Sequence, residues 1–274
     1  MKGAVGKLKI VFRKRKDGKT ALAQQYFKLP LQILPAHYQD EDGTAFVYLL
    51  NPSGGILQHD LLCTEITVEK NARAYVTTPS TNKFYRMDDG FATINNRLTV
   101  GEGGVLEYMP EHNVPFAQSK TFQTTEIFLE KGATLLVNDM FTSGRFARGE
   151  SFDYQVYSSK IKIFVEDQLI AYDNMMIEPS KMKLDGIGMY ESYHTVSTLY
   201  IYSEKISDSL QEALNEIIET FPSILAGVSK VEESLLIVRI LGKSVIDIQE
   251  AIQEIWNETR IKLLDKKAVR IRKY

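Results

Sequence analysis

The chain has 274 residues, of which 44% are hydrophobic and 25% are charged, an ordinary composition for a soluble globular protein. Its 33 Lys and Arg residues are balanced by 35 Asp and Glu residues, which argues against nucleic-acid and membrane-surface partners. Cys63 is the one cysteine and no apolar run is long enough for a membrane span, so we expect a cytoplasmic protein.

Strand signals dominate the first two-thirds of the chain. Residues 8–12 and 22–34 flank Asp17-Gly18, a dipeptide typical of hairpin turns. Residues 45–50 form an apolar run that stops at the Pro- and Gly-rich segment 51–55. The sequence therefore predicts a hairpin, a further strand and a loop.

An internal repeat follows. Residues 66–79, 98–111 and 127–140 each contain a short apolar strand, a polar or Gly-bearing turn and a second strand, and residues 161–176 form a looser fourth copy. Such units cannot bury an apolar face alone, so we expect them to stack in layers. The alternative is a sandwich that contains unrelated hairpins.

The hydrophobic period changes after residue 190. Residues 194–203 alternate as a strand, and residues 207–221 show helical spacing. Two strand-like runs, 224–231 and 234–241, precede a second amphipathic helix at 244–264. This order predicts an α+β layer attached to a β body.

The predicted fold class is therefore mainly β, with stacked β-helix-like layers of hairpin repeats and two α-helices in the C-terminal layer. We expect a single domain over 1–274, in which a β body (1–190) carries the packed α+β layer (191–274), because no flexible linker separates them.

Catalytic motifs are not visible in the residues. Gly18-Lys19-Thr20 has Arg13 where a phosphate-binding loop needs glycine, which favours a hairpin tip. His59-Asp60, directly after the Gly-rich loop, is the place where an imidazole and a carboxylate adjoin in sequence. A rival class remains open: a β-solenoid carbohydrate hydrolase whose paired carboxylates are Glu107 and Asp139, which that chemistry would need about 5–10 Å apart.

Four short motifs carry a family resemblance. NPSGGILQHD (51–60), VTTPSTNKFYR (76–86), VLEYMP (105–110) and GRFARGE (144–150) occur in an order and at separations that resemble the urease accessory protein UreD family, called UreH in some organisms. The resemblance runs from about residue 8 to the C-terminal RIRKY and is strongest over 45–180.

The resemblance implies a function that the residues alone do not show. UreD-like proteins are non-enzymatic cytoplasmic chaperones for nickel insertion into urease. They bind apo-urease and the accessory protein UreF, and UreF recruits the GTPase UreG, which carries nickel. The resemblance therefore implies no tightly bound cofactor, with nickel only in transit, and the absent phosphate loop agrees with a GTPase activity on a partner.

The resemblance also implies site residues, because acidic side chains in the family are proposed to line an internal passage for nickel. Asp60, Asp139 and Asp173 match by motif, and carboxylates spread along a wet path would bind a cation weakly enough to release it. The alternative for each is a turn or a paired surface charge. His59 stands where the family has glycine: it is strained if the position needs a positive φ, and is an extra transient nickel ligand if it does not.

Other positions of these motifs are expected to serve structure and partner contact. Asn174 replaces the family's usual basic residue after Asp173, which would leave Asp173 less neutralised. Further expected structural or interface residues are Arg145, Arg148 and Glu150, interpreted as an ion-pair set that orders their loop, and Lys83 and Tyr85, interpreted as packing and partner contacts.

Overall fold

A computed structural model describes residues 3–271 of the chain. It is mainly β, with two stacked sheets and two helices packed on the outer face of one sheet. Sheet I comprises β1 (Val5–Lys14), β2 (Thr20–Lys28), β5 (Leu61–Val68), β8 (Ala92–Val100), β11 (Lys120–Leu129), β13 (Val156–Val165) and β14 (Gln168–Ile177), in the spatial order β14-β13-β11-β8-β5-β1-β2.

Sheet II faces sheet I across the main hydrophobic core. It comprises β3 (Gln32–Ile33), β4 (Ala45–Leu50), β6 (Arg73–Thr77), β9 (Val105–Tyr108), β12 (Thr134–Thr142), β15 (Thr195–Ser203), β16 (Ile224–Glu232) and β17 (Leu235–Gly242), in the order β16-β17-β15-β12-β9-β6-β4-β3. Two short strands extend it off this path: β10 (Asn113–Pro115) pairs with β12, and β7 (Asn82–Phe84) pairs with β10. The predicted hairpin at Asp17-Gly18 is confirmed, since β1 and β2 pair antiparallel.

The internal repeat is confirmed as a stack of solenoid coils, but its units are not hairpins. In residues 66–79, 98–111 and 127–140 the first strand belongs to sheet I and the second to sheet II, and each strand pairs in parallel with the same strand of the next coil. Only in the looser copy, 161–176, do the two strands pair antiparallel as a hairpin. In the other copies the chain passes from sheet I to sheet II at the turn. The alternation of apolar residues is the same in both cases, so it could not distinguish a coil from a hairpin.

The repeat sets the register of the stack. Its first residues, Ile66, Leu98 and Ile127, are neighbours across β5, β8 and β11 and are almost fully buried. Five residues later in all three copies, Asn71 (φ 58°), Gly103 (φ 62°) and Gly132 (φ 69°) have left-handed backbone, which these residue types adopt at little cost. The aligned turns thus repeat one geometry and superpose the coils.

The C-terminal elements extend sheet II and cover its outer face. Both predicted helices are confirmed, as α1 (Asp208–Glu219) and α2 (Val245–Leu264), and Ser244 caps α2 by accepting hydrogen bonds from the N–H groups of its first turn. Neither helix combines the length and apolarity needed to cross a bilayer within the part of the chain that the structure describes.

A buried ion pair fastens α2 to sheet II. Glu107 of β9 accepts hydrogen bonds from Trp256 Nε1 (2.6 Å) and from Arg260 Nε (2.7 Å) and Nη2 (2.5 Å). The side chains of Glu107 and Arg260 are both 0% exposed. Arg260 Nη1 also lies 3.1 Å from Asp40 Oδ2, and Asp40 is held in turn by Lys266 at 2.7 Å.

Candidate functional site

A cavity of about 370 Å³ lies between the two sheets. The loops 51–56 and 78–83 line its outer part, and residues 52–54 of the first loop are exposed, so the cavity reaches the surface there. Its deeper part is lined by inward-facing side chains of β5, β8, β11 and β12. An internal space with a surface mouth is therefore built into the coils.

Polar side chains interrupt the aliphatic interior beside this cavity. Thr64, Asn96 and Thr125 are register neighbours on β5, β8 and β11, and Asn96 Nδ2 donates to Thr125 Oγ1 at 3.2 Å. Thr64 and Thr125 are buried. Thr64, Asn96 and Thr125 each stand two residues before the start of a repeat. An alignment of the repeats extended by two residues towards the N-terminus would therefore have identified them.

Of the residues predicted for the nickel path, Asp139 lines the cavity. Its Oδ2 accepts a hydrogen bond from Ser159 Oγ at 2.6 Å, and its Oδ1 accepts one from Gln123 Nε2 at 3.4 Å. Burial raises the pKa of Asp139, and the nearby charge of Asp173 adds to this effect, while the two hydrogen bonds oppose it. Burial, with the charge of Asp139, also raises the pKa of Tyr108 to about 12. The cavity thus contains a carboxylate whose charge is incompletely compensated.

Asp173 lies on β14 and is held by side chains from two strands of sheet II. Tyr200 Oη donates to its Oδ2 at 2.7 Å, and Arg239 Nη2 does so at 2.6 Å. Arg239 supplies the positive charge that Asn174 does not, so the expectation of a poorly neutralised Asp173 is wrong. Among the described residues, the cavity lining does not include Asp173.

Asp60 and His59 lie at the loop before β5 and are also outside the cavity lining of residues 3–271. Asp60 is buried, and its carboxylate accepts hydrogen bonds from the N–H groups of Ala4 (2.7 Å) and Leu57 (2.9 Å). His59 has φ 68°, so this position does need the left-handed backbone that the family's glycine would adopt without strain. Its ring lies against Gly90, where an added Cβ would stand 2.4 Å from His59 Cε1.

The loop at 144–150 is ordered by an ion pair. Arg145 Nε donates to Glu150 Oε2 at 2.8 Å, and Arg145 Nη2 bonds the other carboxylate oxygen. These bonds lower the pKa of Glu150, with a smaller contribution from the charge of the exposed Arg148. The Arg145 guanidinium lies 4.1 Å from the ring centroid of Phe116.

Lys83 and Tyr85 lie near the mouth of the cavity. Lys83 is exposed on β7 and belongs to the cavity lining. Tyr85 packs edge-on against Phe116, with ring centroids 5.0 Å apart, and an added Cβ on Gly55 would lie 2.2 Å from its ring. Tyr85 and Arg145 therefore both contact the ring of Phe116, which connects the mouth of the cavity to the loop at 144–150.

Glu107 and Asp139 do not form the paired-carboxylate arrangement that a hydrolase would need. Glu107 is the register neighbour of Leu136 on β12 and faces the helices. Asp139 lies on the same face of β12 as Val137 and Phe141, which belong to the core between the sheets. Successive side chains of a strand point to opposite faces, so Glu107 and Asp139 lie on opposite sides of sheet II. Within residues 3–271, no three His, Cys, Asp or Glu side chains are grouped to hold a metal ion.

Comparison with known proteins gives one consistent result. Residues 4–273 match the family described as UreD urease accessory protein. The urease accessory protein UreD of Acetivibrio thermocellus is 30% identical over 259 residues, covering 94% of this chain and 99% of the relative. The UreD proteins of Bacillus cereus (27% over 274 residues, the whole of both chains) and Cenarchaeum symbiosum (32% over 220 residues, 79% of this chain and 77% of the relative) are also similar.

Proposed function

The chain belongs to the UreD urease accessory protein family, and on that premise we propose that it is a non-enzymatic chaperone that helps deliver nickel to the urease active site. In this proposal it binds apo-urease and UreF, and UreF recruits the GTPase UreG. The relatives are named as accessory proteins, which agrees with a role beside the enzyme. The observation that carries the proposal is the cavity between the sheets, with Asp139 inside it.

The chemistry of that cavity suits a cation in transit. Divalent cations bind carboxylate, amide and hydroxyl oxygens, which Asp139, Asn96 and Thr125 supply. A site with one carboxylate and several neutral oxygens holds an ion less tightly than a closed cage of charged ligands. Transfer needs this compromise, because an ion must enter each position and also leave it.

Asp60 and Asp173 take different parts in this proposal. The carboxylate of Asp60 accepts backbone N–H groups and that of Asp173 is paired with Arg239, so both are engaged by the protein itself. We assign the direct cation contact inside the cavity to Asp139. Asp173 acts on it electrostatically, since its charge raises the pKa of Asp139.

The test is a tagged co-expression of this chain with UreF, UreG and the urease subunits, followed by a pull-down and a urease assay with and without nickel. We expect a complex that contains UreF, and urease activity that depends on both the chain and nickel. A folded chain that captures none of these proteins and does not change urease activity would refute the proposal.

A further inference from the structure

The hairpin of β1 and β2 carries a concentrated positive charge. Residues 5–28 contain eight Lys and Arg residues and one acidic residue, Asp17, whereas the rest of the chain contains 25 basic and 34 acidic residues. The hairpin therefore has a formal charge of +7, although the net charge of the whole chain is −2. The overall balance of charge conceals this local excess.

Most of this charge is not compensated by neighbouring residues. Three of the eight basic side chains form ion pairs at 2.5–3.3 Å: Lys9 with Glu65, Arg13 with Glu69 and Arg15 with Asp17. The other five are exposed and form no ion pair within residues 3–271: Lys7, Lys14, Lys16, Lys19 and Lys28. Lys7 and Lys28 are also direct register neighbours on β1 and β2, and like charges in that position destabilise a sheet. An anionic ligand would relieve this repulsion.

The outer edge of β2 is open. β2 is the last strand of sheet I on this side, and residues 24–28 pair with β1 in an unbroken antiparallel register that follows a bulge at Ala23. Every second residue of such a strand directs its N–H and C=O groups away from its neighbour. Among the described residues, 24–28 form no backbone hydrogen bond except with β1. The edge therefore presents a row of unpaired peptide groups.

Side chains on both faces of this edge are exposed. Tyr26 and Phe27 point to opposite faces of the sheet and are 57% and 46% exposed. Leu29, directly after the strand, is 61% exposed. Proteins usually protect an open edge with charged side chains, proline or a covering segment. Residues 24–27 are uncharged, exposed and free of proline, so an added strand would find both backbone groups and side-chain contacts there.

We propose that the outer edge of β2 binds an extended acidic segment of a partner protein, which pairs with residues 24–28 as an added strand. The peptide groups of the edge supply the hydrogen bonds, and Tyr26 and Phe27 supply side-chain contacts on the two faces. The lysines select carboxylate side chains. The inference goes beyond the proposed function, because it rests on the open edge and its charge.

Other occupants fit these observations less well. Two copies of the chain joined edge to edge would bring two charges of +7 together, which opposes a symmetric pair. Nucleic acid or an anionic membrane would neutralise the lysines but would leave the peptide groups of the edge without hydrogen-bond partners. An acidic peptide strand satisfies both the charge and the backbone.

The experiment uses the purified full-length chain and a fluorescent peptide of alternating Glu and Val, about ten residues long. Binding is followed by fluorescence anisotropy at about 50 mM and about 150 mM salt, and amide hydrogen exchange is measured with and without the peptide. We expect saturable binding that weakens at the higher salt concentration, and slower exchange at alternate residues of 24–28. The same peptide with every backbone nitrogen methylated keeps its charge but cannot donate hydrogen bonds, so it should bind at least tenfold more weakly.

The variant Lys7→Glu/Lys28→Glu tests the charge. Both side chains are exposed and without ion pairs among the described residues, so the exchange leaves the fold intact. Lys131→Glu/Lys183→Glu is the matched control, because it changes the net charge equally at two exposed lysines outside the hairpin. We expect the first variant to bind the peptide at least tenfold more weakly than the wild type, and the control to bind it equally.

Four results would overturn the proposal. Equal binding of the methylated and unmethylated peptides would exclude strand pairing, and equal binding by Lys7→Glu/Lys28→Glu and the wild type would exclude the lysines. No saturable binding of the peptide, or equally tight binding of a DNA duplex or of phosphatidylserine vesicles, would exclude a peptide as the occupant. Dimers of the chain alone with slow exchange at 24–28 would identify a second copy instead. None of these measurements involves urease, so each result leaves the proposed function standing.

Discussion

The ion pair beneath α2 gives a quantitative prediction. Arg260→Met removes both charged donors from Glu107 and leaves a fully buried carboxylate with a single neutral donor, Trp256 Nε1. Removing one partner of a buried pair costs about 3–5 kcal/mol of folding free energy. Asp40 adds little to this cost because Lys266 still holds it. A loss of this size is a large part of the total stability of a typical domain.

The double variant Glu107→Gln/Arg260→Met tests the reasoning. It leaves no uncompensated charge, and the amide oxygen still accepts the Trp256 N–H, so the remaining cost is about 1–3 kcal/mol for amide donors left without partners. We therefore expect the double variant to be about 2 kcal/mol more stable than Arg260→Met alone.

The measurement is urea unfolding of the wild type and both variants, with linear extrapolation to water. Lys9→Met is the control, because the exposed pair of Lys9 and Glu65 should leave the urea midpoint unchanged. Equal stability of the single and double variants would refute the reasoning, since the single variant would then carry no penalty for a buried unpaired charge.

Three further predictions concern the candidate site residues. Burial raises the pKa of Asp139, so the folded chain loses stability as pH rises through that pKa. Asp139→Asn should therefore be more stable than the wild type at neutral pH. Urea unfolding at a series of pH values should show this difference vanish towards about pH 4. Gly90→Ala should lower the free energy of unfolding by about 1–3 kcal/mol, since Gly90 has φ 142° and contacts the His59 ring. His59→Gly should have a higher urea midpoint than the wild type, because glycine adopts φ 68° without strain. A lowered midpoint for His59→Gly would contradict the strain argument. Asp60→Ala should lower the free energy of unfolding by about 2 kcal/mol and speed amide hydrogen exchange at Ala4 and Leu57, whose N–H groups donate to Asp60. Unchanged exchange at these two residues would contradict the stabilising role of these hydrogen bonds.

The fold could be predicted where local signals repeat. The windows that begin at Ile66, Leu98 and Ile127 predicted the strands, the turns and the stacking of the repeats, and the structure adds that equivalent strands pair in parallel. The path of each turn could not be predicted, since a strand that crosses the core alternates like one that folds back beside its neighbour. That ambiguity explains why coils were expected as hairpins.

The candidate site was less accessible from the sequence. Asp139 was found through a family motif, but its position in the cavity follows from the inward face of β12, which only the register shows. The partners of two carboxylates come from elements that are distant along the chain: Arg239 pairs with Asp173, and Arg260 pairs with Glu107. Local sequence patterns carry no information about such pairs. Glu107 was therefore considered as a catalytic carboxylate, although in the structure it forms the buried ion pair with Arg260 that attaches α2 to sheet II.

The central claim is that nickel passes through the cavity that contains Asp139 on its way to urease. The most direct test is the nickel content of urease purified after co-expression with the wild-type chain, Asp139→Asn or Glu126→Gln. Glu126 is the control because it precedes Ile127 on β11, faces away from the core and pairs with Lys162 at 3.2 Å. We predict that Asp139→Asn lowers the nickel content while its complex still assembles, and that Glu126→Gln leaves the content unchanged. Full nickel loading with Asp139→Asn would contradict the claim.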